Sequence, residues 1–127
     1  MKYAVLWEDE SGVSRFEDRD MDLPVQDFVP PAAPLMISDA VAASSFVFLT
    51  LPAGWRGVRH RSPHCQIAAI LSGCFRVHAG SGEVRDFRAG DLFWMKDTTG
   101  EGHESSAEDG EPVNMIIVQT PETPEDR

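Results

Sequence analysis

Gly54-Trp55-Arg56-Gly57-Val58-Arg59-His60-Arg61-Ser62-Pro63-His64-Cys65-Gln66-Ile67-Ala68-Ala69-Ile70-Leu71-Ser72-Gly73 is the stretch on which the fold turns. Its second half is a strand-length apolar run closed by Gly73, a turn residue. In extended backbone alternate residues share a face. His60, Ser62, His64 and Gln66 therefore project together, and Ala68 and Ile70 continue that face in apolar form. Pro63 interrupts the pattern, so His64 is the least fixed of the four. A polar cluster at the mouth of an apolar strand is how the ligand cavity of a small barrel reads in sequence. Arg59 and Arg61 have the wrong parity to share that cavity, whereas Arg56, just before the strand, is placed to reach its mouth.

Outward from this stretch the pattern stays β. Phe75, Val77 and Ala79 alternate with Arg76 and His78, Gly80-Ser81-Gly82-Glu83 reads as a hairpin turn, and Val84–Phe87 is the returning strand. Further strand-length runs are Tyr3–Trp7, Phe46–Leu51, Asp91–Met95 and Val113–Gln119. Short strands with frequent Gly and Pro signals predict an all-β sandwich or barrel. The one helical candidate, Ile37–Ser45 with Ser38 or Asp39 as cap, has a weak pattern. Phe28–Pro34 is Pro-rich and is expected to drape over the surface as a connection, Thr98–Gly110 to form a long loop, and 121–127 to be a frayed tail. One domain is expected, with residues 1–45 packing on a barrel core of 46–120.

The chain has 127 residues, 21 acids, 11 lysines and arginines and a net charge of −10. An acidic chain is a poor partner for nucleic acid. Six arginines against two acids fall in 54–89, a basic middle that suggests an anionic ligand. Strand parity weakens the suggestion, because Arg76, Arg85 and Arg88 belong on the outside of the barrel as ordinary surface ion pairs. No apolar stretch approaches the ~20 residues of a membrane span, and Met1–Glu10 does not read as a signal peptide. Cys65 and Cys74 form no metal-finger spacing and read as two inert reduced thiols, so a cytoplasmic location is expected.

The spacing Gly54-x5-His60-x-Ser62-x3-Gln66-x6-Gly73 resembles the first motif of the cupin superfamily, Gly-x5-His-x-His-x3/4-Glu-x6-Gly. Gly90-Asp91 is similar to the start of the second cupin motif, with His103 as its histidine, and Asp97-Thr98-Thr99-Gly100-Glu101-Gly102-His103 resembles a loop of a small bacterial subgroup. The resemblance covers roughly residues 46–119. It implies an all-β fold, a single cupin-type double-stranded β-helix (jelly-roll) barrel. It also implies a metal site near one end, where His60 matches the first histidine ligand, Ser62 the second, Gln66 the glutamate and His103 the third. Two of four positions therefore depart from the pattern. In the second motif His103 comes two residues late, Lys96 and Thr98 replace proline and glycine, and Ala107 replaces asparagine.

Gln offers a neutral oxygen and Ser is a weak ligand, so two imidazoles and an amide make a thin shell. His64, if turned inward, would complete three nitrogens. The expected metal set is thus His60, Gln66, His103 and His64, holding Zn, Fe, Ni or Mn. Ser62, Arg56 and Ala68 are expected to line the pocket beside it. The competing reading is a polar pocket in which His60, Gln66 and His103 bond each other or a ligand. A small-molecule-binding cupin follows, with dioxygenation or isomerisation of a small organic acid or phenol as the chemistry if it is an enzyme, and a ligand-sensing module as the alternative. A homodimer is expected, with the strand Tyr3–Trp7 contributing.

Overall fold

A computed structural model describes residues 1–121. Its twelve strands fall into two main sheets and a small ribbon. The larger sheet is built from β1 (Lys2–Glu8), β2 (Ser14–Asp20), β5 (Ser45–Leu51), β7 (Gln66–Ser72), β10 (Leu92–Met95) and β12 (Val113–Gln119), in the order β2-β1-β10-β7-β12-β5. The smaller holds β6 (Arg56–His60), β8 (Cys74–Ala79), β9 (Val84–Phe87) and β11 (His103–Glu108), in the order β6-β11-β8-β9. β3 (Val25–Gln26) and β4 (Leu35–Met36) pair only with each other. All pairings are antiparallel except β1 with β10, where Ala4, Val5 and Leu6 lie beside Phe93, Trp94 and Met95. The N-terminal strands are thus part of the larger sheet.

The two sheets face each other across one core. Ala4, Leu6, Ala68, Ile70, Phe93, Met95, Val113 and Met115 come from the larger sheet, and Phe75, Val77, Ala79, Phe87 and Ala107 from the smaller. Phe87 stacks on Phe93 with centroids 4.5 Å apart. A second apolar cluster lies on the outer face of the larger sheet, where Met21 and Val41 pack over Tyr3, Val5 and Trp94. Phe93 and Trp94 therefore face opposite ways, as their parity requires. The indole of Trp94 donates to Thr120 Oγ1 at 3.0 Å.

The hairpin over 74–87 forms as read, with Gly82 at φ 92° in its turn. Three segments differ from expectation. Residues 103–108 are strand β11 rather than loop: His-Glu-Ser-Ser-Ala-Glu has little β-propensity, but its place between β6 and β8 supplies a ladder on both sides. Ser14–Asp20 is a strand in which only Ser14 and Phe16 are buried, while Asp18 and Asp20, of the same parity, are exposed, so no apolar alternation marks it. Ile37–Ser45 contains no helix; residues 37–44 are irregular and Ser45 opens β5. Phe28–Pro34 is exposed connection, as its prolines dictate. The tail expected at 121–127 lies, beyond Pro121, outside the described residues. Among the described residues no helix is long and apolar enough to cross a membrane.

Candidate functional site

The two sheets part at one end around a half-open cavity of about 110 Å³. Its walls are Leu49 and Leu51 from β5, Met115 and Ile117 from β12, Met95, Phe75 and Trp55. Its polar side is His60, Ser62, Gln66, His103 and Ser105. The first motif thus delivers three of its residues, His60, Ser62 and Gln66, and β11 supplies His103 from the facing side.

Register sets the histidine pair. His103 opens β11 directly opposite His60 at the end of β6, and their ring centroids stand 4.9 Å apart. Gly102 makes the approach possible. It sits at φ +81°, and a Cβ there would lie 2.1 Å from the carbonyl oxygen of His60, a position only glycine tolerates.

The imidazole Nδ1 atoms are already engaged. His60 Nδ1 lies 2.8 Å from the Val58 carbonyl oxygen, which can only accept, so this nitrogen carries the proton. His103 Nδ1 lies 2.5 Å from Asp97 Oδ2, and the buried carboxylate holds the proton there in the same way. With Nδ1 engaged in this way, Nε2 is the ring nitrogen each histidine leaves for a ligand. Asp97 is fully buried, and its second oxygen accepts from Ser62 Oγ at 2.7 Å, while the Ser62 amide donates to the Asp97 carbonyl at 2.9 Å. Ser62 therefore braces the carboxylate that orients His103. Gln66 Nε2 makes one weak contact, 3.9 Å from Met95 Sδ, and no hydrogen bond to Gln66 Oε1 is formed among the described residues.

Four expected site residues, His60, Ser62, Gln66 and His103, thus meet at one cavity. Three do not. His64 lies beyond Pro63 on a separate surface depression with Ala42, Ala43, Ser44, Cys65 and Thr120, so Pro63 does break the parity. Arg56 is exposed on β6 and does not line the cavity. Ala68 follows Gln66 on the same face but lies deeper, in the core. Asp97 is the residue the sequence reading passed over. Its signal in the sequence is the loop Asp97–His103, which returns His103 to the carboxylate at its start.

Among the described residues no lysine or arginine lines the cavity. Arg76 pairs with Asp86 and Glu108, Arg85 with Asp18 and Glu83, and Arg88 with Asp109, all on the outside. The Arg76 guanidinium holds the Asp86 carboxyl below its ordinary value of 3.8. Arg59 stands 3.9 Å from Glu101 and 3.8 Å from Glu104. Cys74 is buried, and that burial pushes its thiol above the ordinary value, while Cys65 lies on the outer side with Sγ 3.7 Å from Thr120 Oγ1.

The structure is an all-β barrel of two facing sheets with this residue pattern at its mouth. No protein-family profile and no curated protein matches the chain. Among solved structures it is similar to a conserved protein of unknown function from Streptococcus pyogenes, with 20% identity, a TM-score of 0.44, and coverage of 61% of this chain and 65% of that one. The chain thus spans just under two thirds of that protein. It is also similar to a cupin protein from Bacteroides fragilis, with 22% identity over 63% of this chain and 67% of that one and a TM-score of 0.45. A third is an RmlC-like cupin from Shewanella frigidimarina, with 16% identity over 96% and 87% and a TM-score of 0.48. These likenesses are of fold alone.

Proposed function

We propose that this chain is a small-molecule-binding cupin whose cavity takes an apolar ligand bearing one or two hydrogen-bond donors, a phenol or related hydroxyl compound. The observation that carries this is the pair of Nε2 acceptors, on His60 and His103, set against a wall of Leu, Met and Phe side chains. A phenol has an apolar ring and an acidic O–H, so it satisfies both sides at once. An organic anion finds no lysine or arginine in the lining among the described residues. At ~30 Å³ per water the cavity volume equals about four waters. Asp97 stabilises a positive charge on His103, so His103 is placed to accept the ligand's proton as a general base. The chain's own contribution to chemistry would be that proton transfer.

The Asp97–His103 contact favours a second reading. A carboxylate on the far nitrogen of a histidine is the usual support of a metal-bound imidazole. His60 Nε2, His103 Nε2 and Gln66 Oε1 would then hold a divalent transition metal, which would supply Lewis acidity toward a ligand oxygen. The fit is limited to these three neutral donors. Ser62 is spent on Asp97, His64 is elsewhere, and no group of three or more His, Cys, Asp or Glu side chains among the described residues stands together.

Ligand-observed NMR with a panel of simple phenols, with and without chelator, tests both readings. The first expects binding that survives chelator and is lost in His103→Phe. The second expects binding, and stoichiometric metal by elemental analysis, that chelator removes. No phenol bound under either condition overturns the first reading.

A further inference from the structure

Among the described residues, every side chain that lines the cavity comes from residues 49–117. The loop that sets His103 is nevertheless held from residues 6–14. That loop, 96–102, runs from beside Asp97 to the peptide that carries His103, and it lies against the turn between β1 and β2. The Lys96 amide donates to the Leu6 carbonyl at 2.8 Å, and the Glu101 amide to the Gly12 carbonyl at 2.9 Å. Between them the Glu8 carboxylate accepts twice from Thr99, from its amide at 2.8 Å and from its hydroxyl at 3.1 Å. Gly100 lets turn and loop close on each other, because a Cβ there would lie 2.3 Å from both Glu8 Oε2 and the Gly12 carbonyl oxygen.

The innermost of these contacts is made by Ser14, which is fully buried at the start of β2. A hydroxyl has one proton to give, and Ser14 gives it to the Gly102 carbonyl at 2.7 Å. The same oxygen accepts from the Gly80 amide at 2.7 Å, and the Ser14 carbonyl accepts from the Ser81 amide at 3.0 Å. Ser14 thus ties the hairpin turn after β8 to the peptide between Gly102 and His103. A peptide unit is planar, so fixing its carbonyl fixes the direction in which the His103 N–H and Cα leave it. Gly102 is also pressed against the His60 carbonyl, where no side chain would fit. The peptide that launches His103 is therefore held both by Ser14 and by β6.

We propose that Ser14 and Glu8 are positioning residues for His103. Ser14 holds the Gly102–His103 peptide, and Glu8 holds the middle of the loop, so that the imidazole meets Asp97 through Nδ1 and turns Nε2 to the ligand. This rests on the reading of His103 as a ligand-binding group in the proposed function. Neither residue touches the ligand: the Ser14 hydroxyl is engaged by Gly102 and Gly80, and the Glu8 carboxylate by Thr99. Burial ranks the two. Deleting the Ser14 hydroxyl strands a carbonyl and an amide that water does not reach, whereas the Thr99 contacts lie in solvent and their loss is partly made good by water. Ser14 is thus the stronger of the two, and the hairpin of β1 and β2 completes a site to which it gives no lining residue.

Two readouts on the full chain, histidine-labelled and chelator-treated, separate positioning from mere stabilisation. The first is a long-range proton–nitrogen NMR spectrum without ligand at about pH 8, above the ordinary histidine range. In Ser14→Ala it should show the His103 proton, held on Nδ1 in the parent, shared between Nδ1 and Nε2. The second is phenol affinity by NMR titration, which should fall on the order of tenfold, the scale of a lost orienting contact. Glu8→Ala, at a part-exposed position, should move both readouts the same way by a smaller factor. Glu8→Gln should restore them, because its amide can accept from the Thr99 amide and donate to the Thr99 hydroxyl. Parent-like tautomer and affinity in either alanine variant overturn the proposal, whatever happens to the melting temperature. If Ser14→Ala does not fold, the Glu8 variants decide. If the parent chain binds no phenol, the proposed function falls, and the His103 tautomer in the variants still decides the positioning role.

Discussion

Replacing Asp97 by Ala should cost more than any other single polar deletion in the barrel. The carboxylate is fully buried and bridges His103 Nδ1, 2.5 Å from one oxygen, and Ser62 Oγ, 2.7 Å from the other. Truncation leaves the His103 N–H and the Ser62 hydroxyl without acceptors. A buried donor stripped of its partner costs about 1–3 kcal/mol, so the pair should cost roughly 2–6 kcal/mol. That is a large part of the ~5–15 kcal/mol that holds a domain of this size together. Asp97→Asn keeps an acceptor for His103 and can donate to Ser62 Oγ, which accepts as readily as it donates. It forfeits the charge assistance, about 1 kcal/mol per bond, and should cost roughly 1–3 kcal/mol. Urea unfolding followed by fluorescence of the buried Trp94 measures both. Asp97→Ala costing under about 0.5 kcal/mol, the level of a surface change, would refute the reasoning. So would Asn costing as much as Ala, because the loss would then not follow the hydrogen bonds.

Three further outcomes are expected. Gly102→Ala places a methyl 2.1 Å from the His60 carbonyl oxygen at a φ of +81°, so it should separate β11 from β6, destabilise the fold and weaken ligand binding in NMR titration. Cys74, buried and with its thiol raised by that burial, should resist a thiol reagent in the native protein and react only on unfolding, as mass spectrometry of the labelled protein would show. Asp86 has its pKa depressed by Arg76, so the native state binds fewer protons than the unfolded one, and the pair's stabilisation is present above the ordinary value of 3.8 and lost as pH falls through the lower folded value. Arg76→Ala should therefore flatten the acid limb of stability against pH, read by thermal unfolding between about pH 2 and 5.

The sequence was most legible where side-chain alternation was backed by apolar bulk. The hairpin over 74–87 and the strand Val113–Gln119 formed where their patterns placed them. It was least legible at β11, where the strand is imposed by its neighbours and the residues are small or polar. The site followed the same rule. His60, Ser62 and Gln66, which share parity, line one cavity together with His103. The same parity failed for His64, because proline removes the extended geometry on which it depends. Asp97 was invisible to both tests, since its role is a contact between a loop and two strands that no periodicity encodes. The basic middle was read correctly as surface: the ion pairs of Arg76, Arg85 and Arg88 all lie outside the barrel.

The central claim is that the cavity offers its ligand the Nε2 atoms of His60 and His103. A long-range proton–nitrogen NMR spectrum of histidine-labelled, chelator-treated protein tests it during titration with a phenol. The account predicts that both rings carry their proton on Nδ1 in the free protein, and that the Nε2 signals of His60 and His103 move on binding while those of His64 and His78 stay. A proton on Nε2 of His103 in the free protein, or a titration that moves His64 and leaves His60 and His103 unchanged, would contradict it.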